Sequence, residues 1–213
     1  MDNDFISEIN LENVVKYDKP FVVVFVALPG SLKTTVARKL SRNLKIYLLS
    51  NDYIRNYYYQ FTKDYSDEKR IEIDKKVKQI QDERINYLVK ENVSFVLDQC
   101  LNSYEEYEKL KDKVGSGYRI YVVKINSDDE TNIKNISNIK MDYNHVYEGV
   151  IGDNIEYLSS FPKEVYYQIK ERKRITISDN QVDFIISDVS NIEALEKDIL
   201  QKQLIVKYRD NIP

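Results

Sequence analysis

Seven consecutive residues, Phe21 to Ala27 (FVVVFVA), are apolar with no polar alternation. A strand with one wet face alternates, so an unbroken run of this length reads as a strand buried on both faces. Three further runs share that character: Ile46–Leu49, Val93–Leu97 and Tyr118–Ile125. A shorter fifth lies at Val182–Ile186. Helical patterns lie between them. Val36, Leu40 and Leu44 share one face after the first run. Val77, Ile80, Arg84, Ile85 and Leu88 do so in the charged segment Ser66–Glu91, where Ser66 is a plausible N-cap; Tyr104–Val114 and Ile192–Leu204 also read as helices. Strand and helix in alternation predict an α/β domain, a parallel sheet with helices on both faces. Ligands of such sheets bind beyond the carboxyl ends of the strands, so the residues just after each strand matter most.

Composition narrows the class. The chain has 213 residues, suited to one domain with a small appendage, and hydrophobic residues make up 42%. Its 32 Lys+Arg against 35 Asp+Glu give a net charge of −3, so any polynucleotide contact must come from a local patch. Cys100 is the single cysteine, which excludes an intramolecular disulfide and fits a reducing, cytoplasmic setting. The longest apolar run, Phe21–Leu28, is too short to span a bilayer, and Lys16, Asp18 and Lys19 precede it, so no membrane association is expected.

After the first strand the chain reads Ala27-Leu-Pro-Gly-Ser-Leu-Lys-Thr-Thr35. A phosphate loop has Gly, four residues, Gly, Lys and Ser/Thr; backbone N–H groups curl around phosphate, Lys reaches the outer phosphates, and the hydroxyl ligates Mg²⁺. Gly30, Lys33 and Thr34 are in place, but Ala27 and Leu32 stand where the two terminal glycines belong. Alanine is a mild change. Leucine is a severe one, because a positive φ there costs energy. The expectation is that Leu32 pushes the loop outward, loses one or two N–H contacts to phosphate and weakens ATP binding at least tenfold, about 1.4 kcal/mol or more.

The second strand ends in Ser-Asn-Asp52-x-x-Arg55. Asp52 and Arg55 would share a helix face, as base and anion clamp or as a plain cap and surface ion pair. The third ends in Leu-Asp98-x-x-x-Asn102, where an Asp faces Mg²⁺ or an acceptor, or caps a turn. The fourth ends in Asn126-Ser-Asp-Asp-Glu130, a helix start.

In combination these ends resemble the P-loop kinases of the polynucleotide 5′-kinase and zeta-toxin-like group, over about Pro20 to Asn138. The resemblance implies sheet order 2-3-1-4-5, a helical lid at about 128–160, and a single kinase-like domain at 19–213 preceded by an extension, 1–18. It implies ATP and Mg²⁺ as cofactors. Gly30, Ser31, Lys33, Thr34 and Thr35 would be phosphate-binding, with Thr34 on Mg²⁺ and Asp98 as its possible outer partner. Asp52 and Lys33 would be catalytic, and Arg55, Asp98 and Asn102 would hold the acceptor. The group closes an arginine over the phosphates. Residues 130–147 here contain none, only Lys134 and Lys140. The leading acceptor is a nucleic-acid 5′-hydroxyl; the alternatives are a small metabolite or nucleotide sugar, and a catalytically inactive binding or scaffold protein. Oligomeric state is left open. His145 makes no metal motif, the basic cluster Lys170, Arg172, Lys173 and Arg174 reads as a solvated helix end, and Cys100 reads as a small buried side chain.

Overall fold

In the computed structural model the described residues are 9–59, 66–135, 176–187 and 189–209. The order of elements is β1 (Phe21–Ala27), α1 (Lys33–Leu44), β2 (Tyr47–Ser50), α2 (Asn51–Tyr59), α3 (Asp67–Lys90), β3 (Phe95–Cys100), α4 (Tyr104–Val114), β4 (Arg119–Ile125), β5 (Phe184–Ile186) and α5 (Ile192–Arg209), with a further helical stretch at 129–135. The five strands form one sheet in the order β2-β3-β1-β4-β5, every neighbouring pair parallel. This is the expected order.

The unbroken apolar character of β1 has its cause in the two cores. Val22, Val24 and Val26 face one core with Ile73, Val77, Ile80, Ile85 and Leu88 of α3 and Leu110 and Val114 of α4. Phe21, Val23, Phe25 and Ala27 face the other with Val36, Ala37, Leu40 and Leu44 of α1 and Ile192, Leu195 and Ile199 of α5. Successive side chains of a strand point to opposite faces, so a central strand with helices on both sides has no position left for a polar residue. Residues before β1 lie on these cores: Ile9, Leu11 and Val14 on the first and Tyr17 on the second, where its hydroxyl donates to the Leu44 carbonyl at 2.9 Å.

Two local devices fix the helices. The Ser66 side chain accepts from the Lys69 N–H at the start of α3, as the sequence predicts, and Ser103 does the same for Glu106 in α4. The tyrosine before β4 ties the sheet to α3: the Tyr118 hydroxyl donates to the carbonyls of Leu88 and Val93 at 2.9 and 3.0 Å, and burial pushes its pKa up to about 12.

β3 carries an irregularity that matters for the site. It pairs with β2 in continuous register up to Ser50↔Asp98. Against β1 its register slips, from Val23↔Val96 to Phe25↔Cys100, so β3 carries two extra residues. Bulges of this kind bend a strand and re-aim side chains near functional sites. The slip coincides with Asp98.

Candidate active site

The loop between β1 and α1 carries two residues at positive φ. Gly30 has φ 82° and Leu32 has φ 61° and ψ 24°, with Ser31 between them at negative φ. Turns with positive φ of this kind aim backbone N–H groups at an anion. Here the Ser31 N–H donates to the Leu28 carbonyl at 3.2 Å, which leaves the amides that open α1 as the donors. The positive φ that a glycine would adopt freely is present at Leu32. Leu32 adopts the left-handed conformation itself, and its side chain, 39% exposed, leans away from the core. Ala27 is harmless for a simpler reason: it ends β1 at ordinary φ, is 4% exposed, and nothing there requires glycine.

Leu32 is also the N-cap residue of α1 and supplies no side-chain hydrogen bond, so the amides that open this 12-residue helix have no capping side chain. Such a terminus offers donors and a partial positive charge to an anion. The Ser31 hydroxyl in the same loop is buried without a partner, as are Asn51 Oδ1 after β2 and Asn132 Nδ2 after β4. Unspent polar capacity thus lies beyond the carboxyl ends of three strands, at the edge where α/β sheets bind ligands.

Lys33, Thr34 and Ser50 converge on Asp98. The Lys33 ammonium pairs with Asp98 Oδ1; the Thr34 hydroxyl lies 3.4 Å from the same oxygen, and the Ser50 hydroxyl donates to Oδ2 at 3.3 Å. The Asp98 side chain is fully buried and that of Lys33 is 18% exposed. A buried carboxylate held by an ammonium and two hydroxyls is compensated without metal. With the amides that open α1, this donor set fits a bound polyphosphate. The Thr34 hydroxyl with one carboxylate fits a Mg²⁺ ion, which favours one or two carboxylates plus phosphate oxygens over an all-protein cage. No group of three or more His, Cys, Asp or Glu side chains forms such a cage among the described residues.

Asp52 and Arg55 sit one turn apart on α2, immediately past β2 and on the same sheet edge as Lys33. They pair with each other at 2.5 Å, and Arg55 Nε reaches Asp74 of α3 at 2.9 Å. Asp52 is 62% exposed, so its carboxylate is open to solvent and to a ligand. Asn102 lies at a turn. Its N–H donates to Glu106 at 2.7 Å, its carbonyl accepts from the Thr176 amide at 2.8 Å, and its side-chain amide is at the outer limit of contact with Glu106. Thr35 and Lys134 are exposed. Cys100 is half-buried, its thiol donating to the Ala27 carbonyl at 3.1 Å, and burial pushes its pKa up against the opposing pull of Lys33. Lys140, His145 and the cluster from Lys170 to Arg174 lie outside the described residues.

Three participants escaped the sequence reading. Ser50 was visible as the last hydroxyl before Asp52, but its partner depends on strand pairing. Asn132 and Asn135 belong to the 129–135 helical stretch, which packs on the loop. A Cβ on Gly30 would fall 2.3 Å from the Asn132 carbonyl oxygen, and Asn135 Nδ2 donates to the Gly30 carbonyl at 2.8 Å. No sequence signal joins residues more than a hundred positions apart.

A five-stranded parallel sheet in this order, with a Lys-Thr loop entering α1 and an aspartate in the carboxyl-terminal half of β3, defines a P-loop kinase fold. Residues 7–138, more than half of the chain, match the family model described as Zeta toxin, and the chain belongs to that family. The family match does not show the polynucleotide-kinase side of the resemblance. Among solved structures, one from Chloroflexus aurantiacus J-10-fl, provisionally named a kinase, is 12% identical with a TM-score of 0.66; the alignment covers 86% of this chain and 98% of that one. A gluconokinase from Sinorhizobium meliloti 1021 is 9% identical with a TM-score of 0.49, covering 92% and 100%. At 12% identity the first of these likenesses is one of fold. No curated protein matches the sequence. No described helix is long and apolar enough to cross a membrane.

Proposed function

We propose that the protein is an ATP-dependent kinase that phosphorylates the hydroxyl of a small acceptor, a metabolite or nucleotide sugar. The observation that carries this reading is the meeting of Lys33, Thr34 and Ser50 on the buried Asp98 beside a loop with positive φ at Gly30 and Leu32. A descendant that had become only a scaffold would have no reason to hold an ammonium, two hydroxyls and a buried carboxylate at that edge.

ATP supplies the transferred phosphoryl group, and Mg²⁺ screens its charge. The chain's own residues divide the remaining work. Lys33, the Ser31 hydroxyl and the amides that open α1 hold the phosphates. Thr34, with Asp98 behind it, is the position for the metal. Asp52, solvent-accessible one residue into α2, takes the acceptor's proton as general base. Arg55, steered by Asp74, clamps an anionic part of the acceptor. Lys134 and Lys140 supply point charges where an arginine is absent.

A small acceptor is favoured over a nucleic-acid end on charge. Net charge is −3, and Arg55, the acceptor clamp, already faces two carboxylates. A strand of phosphates needs a basic track. Calorimetric titration of ATP·Mg²⁺ tests the kinase reading against the scaffold reading before any acceptor is known; micromolar binding is the expected result, and no detectable heat or competition overturns it. Labelled ATP with a panel of sugars, nucleotide sugars and a 5′-hydroxyl oligonucleotide then chooses the acceptor.

A further inference from the structure

We propose that Asn135 is a positioning residue of the phosphate loop: its side-chain amide holds the loop in the left-handed geometry that leucine at position 32 disfavours. The inference rests on the kinase reading of the loop and adds to it a residue outside the phosphate-loop motif.

The Gly30–Ser31 peptide unit is held at both ends. Its carbonyl accepts from Asn135 Nδ2 at 2.8 Å, and its N–H donates to the Leu28 carbonyl at 3.2 Å. A peptide unit is planar, so fixing both ends fixes its orientation and limits the torsions on either side. The next residues are Ser31 and the left-handed Leu32. Behind the unit, the 129–135 stretch lies so close that only a residue without Cβ fits at Gly30. That stretch is itself built to be rigid at its start. Asp128 accepts from the Thr131 amide and hydroxyl, both at 2.7 Å, and Ser127 donates to Asn132 Oδ1 at 2.7 Å, with Asn132 fully buried. The brace is therefore anchored to the end of β4 and reaches the loop following β1, two adjacent strands of the sheet.

The need for a brace follows from Leu32. A left-handed conformation is disfavoured for leucine on the order of tenfold, whereas glycine adopts it freely. The side chain of Leu32 is 39% exposed and gains little packing in return. Without an external hold, the binding-competent loop would be a minor state, and apparent affinity falls in proportion to that fraction. With the brace, the competent state dominates and leucine is tolerated.

This predicts a specific coupling between positions 32 and 135. ATP·Mg²⁺ affinity is measured by calorimetry on the full chain for the parent, Leu32→Gly, Asn135→Asp, Asn135→Ala, and each Asn135 variant combined with Leu32→Gly. Asn135→Asp keeps the side-chain shape and removes the donor. Either Asn135 variant is expected to weaken binding about tenfold in the parent and about twofold or less in the Leu32→Gly background, and Leu32→Gly alone should change affinity less than threefold. Unliganded melting temperatures within a few degrees of the parent separate this from general loss of fold. If one variant melts early, the other carries the comparison. Parental affinity in both Asn135 variants, or an equal loss whether position 32 carries leucine or glycine, overturns the brace and leaves the kinase reading standing. A parent that binds no ATP·Mg²⁺ overturns the kinase reading and the brace together.

Discussion

The ammonium of Lys33 rests on the carboxylate of Asp98, a pairing across 65 residues of sequence in which the acid is fully buried and the base is not. The asymmetry gives the pair a direction. Removing the acid releases a lysine that can turn to solvent. Removing the lysine strands a buried carboxylate with only the Thr34 and Ser50 hydroxyls at 3.4 and 3.3 Å. Breaking a buried pair from the side that leaves a charge behind is the damaging direction. Lys33→Met is therefore expected to destabilise the fold by about 3 kcal/mol and Asp98→Asn by about 1 kcal/mol. Urea unfolding of both variants without nucleotide is the check, and the reverse order would contradict the burial argument.

Gly30 is constrained twice, by a φ of 82° and by the Asn132 carbonyl oxygen, which a Cβ would approach to 2.3 Å. Backbone atoms cannot swing aside as a side chain can. Gly30→Ala is expected to displace the 129–135 stretch, lower stability by at least about 2 kcal/mol, and abolish ATP binding. A melting temperature and ATP affinity equal to the parent's would show that loop and stretch are not in contact.

Asp52 and Arg55 form an exposed pair, so neither is expected to matter for stability; substitutions should shift it by less than about 1 kcal/mol. Their effect should be kinetic. Asp52→Asn is expected to reduce turnover by about a hundredfold or more with ATP affinity near the parent's, and Arg55→Ala to raise the KM for the acceptor most of all. Unchanged steady-state kinetics in both variants would return the pair to the role of helix cap and surface ion pair.

Cys100 reports on the same site. Burial raises its thiol pKa, Lys33 opposes the rise and Asp98 adds to it. Because the thiolate is the reactive form, alkylation by iodoacetamide should be slow at neutral pH and keep rising into the alkaline range. Lys33→Ala removes the opposing charge and should slow the reaction further at any given pH. Mass spectrometry of timed reactions measures both. A rate that plateaus near neutral pH would contradict the burial of the thiol.

Much of this protein was legible without a structure. The bounds Phe21–Ala27 and Tyr104–Val114, the Ser66 cap and the parallel α/β class follow from local rules: apolar runs buried on both faces, helical periodicity and cap chemistry act over a few residues, so the sequence displays them. The strand order came through resemblance to the P-loop kinases, and it is the order observed. Lys33, Thr34, Asp52, Arg55 and Asp98 could be chosen because each lies at or just past the carboxyl end of an apolar run and parallel sheets gather such residues at one edge.

What the sequence could not decide was the consequence of Leu32. Read locally, a leucine in a glycine position means a displaced loop. In the tertiary structure the loop keeps its left-handed turn, and the hold comes from Asn135, whose amide grips the Gly30 carbonyl from 105 residues away. The same distance hid Ser50 as a partner of Asp98, since only the β2–β3 register sets them side by side. Local propensity states what a conformation costs. Whether that cost is met depends on what the fold packs against it, and this information exists only once β4 lies beside β1.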